Sequence, residues 1–119
     1  MEIQCYHEIN EDHLVQGFLN FKTCSEIEDI IKYNVYNILE DNDIDEDEVN
    51  YICIYAHGSR VFGIPKKKSD IDFVLFYKGN IREDSLFNIF VDERIFIEHV
   101  RADFNPIQIN DDSDIERYI

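Results

Sequence analysis

Two short groups of residues in the middle of the chain have the types and the spacing needed to hold a phosphate and a metal ion. Gly58-Ser59-Arg60 follows an apolar segment, and Asp70-Ile71-Asp72 comes ten residues later. A glycine-bearing turn that opens a helical turn presents backbone N–H groups, at which an anion binds. Two carboxylates at alternate positions of a strand face the same way, so they can share one metal ion or bracket a pair. Together the two groups predict a binding site for a nucleoside triphosphate.

The ligand types determine which metal the two aspartates would bind. Asp70 and Asp72 offer only oxygen atoms, which favour Mg²⁺ or Mn²⁺ over zinc. On a strand their Cα atoms would lie about 7 Å apart, while Ile71 between them would face the core. Arg60 either contacts the triphosphate or braces its own loop through a carboxylate, and the residues alone leave both interpretations open.

Strands are predicted on both sides of the Gly-Ser turn. Residues 51–55 form an apolar strand that leads into the turn, and residues 71–77 form a second strand, whose apolar character suits a central position. A third extended segment, residues 95–104, is either a hairpin or a bulged strand, and Pro106 lies just beyond it. These segments, with a further short strand predicted over residues 1–6, place a small sheet at the centre of the fold.

Helices are predicted to pack against that sheet. The best defined begins at a capping box, Ser25 to Glu28. Its apolar side chains recur at helical spacing: Ile27, Ile30, Ile31, Val35, Ile38 and Leu39. Shorter helices are predicted over residues 11–20, 83–90 and 112–119, and residues 41–48 are predicted to form an acidic loop. The elements add up to a small α/β sandwich.

Size and charge exclude several classes of protein. A chain of 119 residues predicts one domain, residues 1–119, with its core in residues 25–107. The net charge of -15 repels a phosphate backbone, so direct, charge-driven binding of nucleic acid is not expected. No apolar stretch is long enough to span a bilayer, and the first residues lack the pattern of a secretory signal. Three cysteines without metal-ligand spacing fit a reducing compartment, so a cytoplasmic location is predicted.

The central motif has a known counterpart. Gly58-Ser59-Arg60-x-x-Gly63, followed by Ser69-Asp70-Ile71-Asp72-Phe73, resembles the signature of the DNA polymerase β-like nucleotidyltransferase superfamily, in particular its smallest members, the minimal nucleotidyltransferases. The resemblance extends over residues 51–105. It implies a nucleotidyltransferase-type α/β sandwich, with a short mixed sheet and helices packed against it.

The resemblance also implies a third carboxylate, on a later strand next to the first two. Asp103 is the favoured candidate, because apolar Ala102 and Phe104 flank it, and Glu98 is the alternative. The chain continues through Asn105-Pro106, where minimal members usually have aliphatic residues. By this resemblance the residues that would hold Mg²⁺ or Mn²⁺ and catalyse the reaction are Asp70, Asp72 and Asp103. The residues that would contact the nucleotide are Gly58, Ser59 and Arg60.

The activity implied by the resemblance is transfer of a nucleoside monophosphate, AMP from ATP, to a hydroxyl group of a protein, a tRNA or a small molecule. Minimal members often pair with a helical HEPN-type protein in toxin–antitoxin modules, so such a partner, or association with a second copy, is expected. The alternative is an inactive nucleotidyltransferase fold that binds and neutralises a partner protein. Tyr33 and Tyr36, beside the apolar stripe of the long helix, are candidates for a partner surface.

Overall fold

A five-stranded mixed sheet organises the part of the chain that the structure describes. This computed structural model describes residues 2–6, 14–15, 22–57, 71–98, 100–111 and 113–117. The strands are β1 (Glu2–Tyr6), β2 (Leu14–Val15), β3 (Lys22–Thr23), β4 (Tyr51–His57), β5 (Ile71–Lys78), β6 (Ile95–Ile97) and β7 (Val100–Gln108). The helices are α1 (Cys24–Asp41), α2 (Glu83–Glu93) and α3 (Ser113–Glu116).

The sheet combines parallel and antiparallel pairs, in the order β1-β4-β5-β7-β6. β1 runs parallel to β4, and β5 runs parallel to β7. The two pairs are joined by the antiparallel contact between β4 and β5, and β6 closes the far edge antiparallel to β7. With helices packed against it, this short mixed sheet makes the protein the small α/β sandwich that the sequence predicts.

The central strand β5 defines two faces of the sheet, because successive side chains of a strand point in opposite directions. The face that we call the inner face carries its odd-numbered residues, all of them buried: Ile71, Phe73, Leu75 and Tyr77. α1 and α2 cover the inner face and complete one apolar core. The outer face carries Asp72, Val74, Phe76 and Lys78, and only part of it is apolar.

Helix α1 follows the predicted apolar pattern closely. It begins at Cys24, one residue before the predicted cap, a difference within the usual spread of helix boundaries. The residues of the predicted stripe pack into the inner core, with Ile30 half-buried and the others buried: Ile27, Ile31, Val35, Ile38 and Leu39. A helix with one apolar stripe therefore packs flat against a sheet with one wholly apolar face.

A tight turn after β5 requires glycine. Gly79 has a φ of +143°, and a Cβ atom there would lie 2.0 Å from the backbone oxygen of Glu48. The acidic loop that precedes β4 lies against this turn, since the Asn80 N–H donates to the Asp47 carbonyl at 2.9 Å and the Ile81 N–H donates to the Glu48 carbonyl at 3.2 Å. The loop and turn together anchor the end of β5 that is remote from Asp72.

The prediction of a helix over residues 11–20 is wrong at the positions that the structure describes. Leu14 and Val15 form strand β2, which pairs antiparallel with β3 and places Leu14 opposite Thr23. So short a segment carries little helical stability of its own, and β-branched Val15 favours an extended backbone. Pairing with a neighbouring strand outweighs the local apolar spacing.

The segment after α2 is a hairpin, one of the two predicted forms. β6 pairs with the start of β7 through a turn at Glu98, whose φ is 55°. β7 continues to Gln108, so Pro106 lies inside the strand and not beyond it. β6 pairs only with residues 100–102. The later part of β7 therefore has an edge without a β6 partner, where a residue that lacks an N–H is tolerated.

Candidate active site

Asp72 and Asp103 lie side by side on two neighbouring parallel strands. Asp103 of β7 is the register partner of Asp72 of β5. Register partners on neighbouring strands have Cα atoms about 4.8 Å apart and side chains on the same face. Both side chains lie on the outer face, where Asp72 is exposed and Asp103 is 40% exposed. The structure thus brings together two of the three carboxylates that the sequence singles out.

The ends of two strands meet next to these carboxylates. His57, the last residue of β4, is the register partner of Asp72 on the side of β5 away from β7. The chain continues from His57 directly into the Gly-Ser motif, and it enters β5 at Ile71 directly from the first aspartate of the pair. The remaining predicted site residues lie outside the described residues: Gly58, Ser59, Arg60 and Asp70.

The choice between Asp103 and Glu98 has a clear geometric answer. Glu98 is exposed in the turn between β6 and β7, before the first residue of β7. Asp103 lies three residues into β7, and at the rise of a strand this puts it about 10 Å beyond the turn. Of the two candidates, Asp103 is the one that lies beside Asp72.

A positive charge lies on the same face as the two carboxylates. Arg101 precedes Asp103 by two residues on β7, and its Nε atom lies 3.0 Å from Oδ1 of Asp103. The side chains are 37% and 40% exposed, respectively, and an ion pair so open to water contributes only about 0–1 kcal/mol. Arg101 is not among the residues predicted for the site, although its spacing of two from Asp103 on an expected strand places both side chains on one face.

A pocket of about 150 Å³ lies between α2 and β7, next to this ion pair. Its walls are largely apolar, with Phe87, Phe90 and Val91 on the helix side, while residues 101–104 of β7 form the strand side. Phe87 and Val91 are 45% and 37% exposed, so the apolar wall continues onto the surface. The pocket therefore lies against the same stretch of β7 that carries Asp103.

The described carboxylates fit part of the predicted metal site. Their donors are oxygen atoms only, the kind that Mg²⁺ and Mn²⁺ prefer, and neighbouring carboxylates are the usual protein ligands of such ions. No group of three or more His, Cys, Asp or Glu that could hold a metal ion occurs within the described ranges, from which Asp70 is missing. Asp72 and Asp103 would therefore supply two ligands of a site whose third predicted ligand the structure does not describe.

The exposed tyrosines of α1 lie on the other side of the molecule. Tyr33 is 69% exposed and Tyr36 is 46% exposed, and α1 packs on the inner face of the sheet. Asp72 and Asp103 are on the outer face. A partner bound at the tyrosines would thus leave the carboxylates accessible.

Comparison with known proteins found no relative of this chain. No protein-family model, no curated protein and no solved structure matches the chain. Among the helices that the structure describes, each is too short or too polar to cross a membrane. The geometry of β4, β5 and β7 is therefore the basis for assigning a function.

Proposed function

We propose that the protein is a metal-dependent nucleotidyltransferase that moves a nucleoside monophosphate, AMP from ATP, onto an acceptor hydroxyl. The observation that carries this proposal is the register of Asp72 with Asp103, directly beside the end of β4. In the sequence the Gly-Ser motif directly follows β4 and an aspartate directly precedes β5, so both groups are joined to the strand ends next to Asp72.

Each residue has a role in the proposed reaction. Asp70, Asp72 and Asp103 would hold Mg²⁺ or Mn²⁺, which when bound would supply positive charge to the triphosphate. Gly58 and Ser59 bind the β- and γ-phosphates through backbone N–H groups, and Arg60 contacts the triphosphate. Asp103 accepts the proton of the acceptor hydroxyl. The acceptor oxygen then forms a bond to the α-phosphorus, the bond from that phosphorus to the bridging oxygen breaks, and pyrophosphate leaves with the electron pair.

The charge of the chain limits how an acceptor reaches the site. With a net charge of -15, the protein repels a free nucleic acid. A tRNA acceptor would need a basic partner, whereas a protein or small-molecule acceptor would not. A helical HEPN-type partner in a toxin–antitoxin pair, or a second copy of the chain, belongs to the proposal on the strength of the sequence motif.

A second function is favoured by one observation, the cation already placed on Asp103. An Arg101 guanidinium 3.0 Å from the third carboxylate does part of what a metal ion would do there. If it stayed in place permanently, the fold would have lost its metal and its activity. The protein would then be an inactive nucleotidyltransferase fold that binds and neutralises a partner.

Thermal unfolding with ATP and Mg²⁺ or Mn²⁺ separates the two functions. We expect the metal and nucleotide together to raise the unfolding temperature of the wild type, because binding to the native state alone stabilises it. Asp70→Asn, Asp72→Asn and Asp103→Asn should each remove the shift. Glu98→Gln is the matched control and should keep it, since Glu98 lies in the hairpin turn and not beside Asp72.

Transfer is then measured with ATP labelled at the α-phosphate and candidate acceptors, by following label on the acceptor and release of pyrophosphate. Loss of one carboxylate should slow transfer by at least about 10²-fold, the scale seen when one charge-stabilising group is removed from an active site. A wild type that gains no stability from nucleotide and metal, and releases no pyrophosphate, would contradict catalysis and favour the binding module.

A further inference from the structure

We propose that Arg101 is a built-in counter-cation that competes with a divalent metal ion for the carboxylate of Asp103. The inference rests on the proposed function only in taking Asp72 and Asp103 as metal ligands. It adds a residue outside the sequence motif, and it gives the site a resting state in which the protein itself neutralises one carboxylate.

Among the described residues, three charged side chains share one patch of the outer face. Asp72 and Asp103 are register partners, and Arg101 shares the face of Asp103 because it lies two residues away on β7. The Arg101 Nε atom is 3.0 Å from the Asp103 carboxylate. Across the hairpin the register partner of Arg101 is Phe96, which is 52% exposed and brings no charge to the patch. Asp103 is thus held between a like charge on β5 and an opposite charge on its own strand.

The electrostatics explain why a cation belongs there in the absence of metal. Like charges directly opposite each other on neighbouring strands destabilise a sheet. A guanidinium beside one of them reduces that repulsion, and a bound divalent ion would reduce it further. Because the guanidinium and the metal ion satisfy the same carboxylate, the binding of one is expected to weaken the binding of the other.

The exposure of the pair makes the exchange feasible. Arg101 is 37% exposed and Asp103 is 40% exposed, and the Arg101 Nε atom, although buried, makes no hydrogen bond that would hold the guanidinium in place. Exposed ion pairs are weak, and they change an equilibrium constant by about fivefold at most. Arg101 therefore competes with the metal but does not block it.

The chain contains a matched control pair. Arg82 Nη2 lies 3.0 Å from Asp84 Oδ2, with the same spacing of two residues and the same distance as Arg101 and Asp103. Asp84 lies in the first turn of α2 and not on a strand, so it has no carboxylate as a register partner. Arg82→Gln removes the same unit of charge from the protein as Arg101→Gln and isolates the local effect.

The test is a Mn²⁺ titration of the full chain without nucleotide, in which the paramagnetic resonance signal of free Mn²⁺ reports binding. Weak binding by the acidic surface is measured with the double variant Asp72→Asn/Asp103→Asn and subtracted. We expect Arg101→Gln to bind Mn²⁺ about fivefold more tightly than the wild type, as the strength of an exposed ion pair allows. Arg101→Lys should lie between the two, and Arg82→Gln should match the wild type within about twofold.

Equal affinities of Arg101→Gln and Arg82→Gln, or weaker binding by Arg101→Gln, would overturn the proposal. Tighter binding by Arg101→Gln in a protein that transfers no nucleotide supports the competition and contradicts only the catalytic function. If no variant binds Mn²⁺ above the surface background, both proposals fail together. If the wild type transfers nucleotide but Arg101→Gln shows no gain in affinity, the competition alone is wrong.

Discussion

The two faces of the sheet differ in the polarity and the exposure of their side chains. The inner face is apolar from β4 to β6, and the side chains of α1 and α2 fill it. The outer face is divided. One end forms a small apolar cluster under α3, in which Cys53, Phe76, Ile109 and Ile115 are buried. The other end carries Asp72, Arg101 and Asp103, which remain open to water.

This difference separates residues that hold the fold from residues that are available for chemistry. Burial of apolar surface is the main source of folding stability, and the inner face supplies most of it here. Charged residues in the middle of a sheet contribute nothing comparable, and two neighbouring carboxylates oppose folding. The charged end of the outer face therefore adds little to folding stability, which leaves its side chains available for the proposed site.

The largest expected loss of folding stability is at Leu75 of β5, and its neighbour Val74, on the opposite face of the sheet, is the comparison. Leu75 is fully buried in the inner core, while Val74 is half-buried on the outer face. Leu75→Ala should lower the free energy of unfolding by about 2–5 kcal/mol, because it removes apolar contacts and leaves a cavity. Val74→Ala should lower it by about 1 kcal/mol. Urea denaturation of both variants measures the difference, and equal losses would contradict the division of the two faces.

The inner face could be predicted from the sequence because its signal is local. The stripe of α1 repeats at helical spacing, and the run of apolar residues after Asp72 suits a central strand. Both elements occur where they are predicted, as does the helix after the Gly79 turn, although that helix continues to Glu93. The short segment at Leu14–Val15 shows the limit, because its structure depends on a strand partner elsewhere in the chain.

The outer face was harder to predict because its key contacts are not local. The residue pattern predicts strands at Asp72 and Asp103, and only the family resemblance predicts that these strands are neighbours; neither predicts the register of β5 with β7. Register depends on how the whole sheet assembles, and a shift of one residue would move Asp103 to the inner face. The pairing of Arg101 with Asp103 needed only the alternation of one strand, so it was within reach of the sequence.

A smaller loss of folding stability is expected at Tyr77, whose hydroxyl is a polar group on the inner face. The hydroxyl of Tyr77 is buried and donates a hydrogen bond to the carbonyl oxygen of Ile81 at 2.6 Å. Tyr77→Phe should therefore lower the free energy of unfolding by about 0.5–1.5 kcal/mol near neutral pH. Burial, assisted by the negative charges of Glu83 and Asp84, raises the pKa of Tyr77 from 10.0 to about 12.

The raised pKa of Tyr77 determines how the stability effect of Tyr77→Phe changes with pH. As the pH rises, the unfolded chain loses the Tyr77 proton near its ordinary pKa of 10.0, whereas the folded protein keeps it until about pH 12. Between these two pH values the free energy of unfolding therefore decreases as the pH rises. The stability that Tyr77 contributes is complete below pH 10 and is lost as the pH rises toward 12. The advantage of the wild type over Tyr77→Phe should shrink across this range in chemical denaturation series. An advantage that stays constant would contradict the assigned hydrogen bond and burial.

The smallest expected effect tests the charged end itself. Asp72→Asn should change the free energy of unfolding by no more than about 1 kcal/mol without metal, because the residue is exposed and the change removes one contact between like charges. A double-mutant cycle with Asp103→Asn should nonetheless give a repulsive coupling of about 0.2–1 kcal/mol, the range for like charges directly opposite in a sheet. The coupling should weaken in 1 M salt, where charges are screened beyond about 3 Å. An attractive coupling, or one indifferent to salt, would mean that the two carboxylates do not meet as like charges and would remove the reason for a cation between them. A repulsive one would identify a pair of side chains that the fold retains at a cost, which is the expected property of a metal site and not of a core.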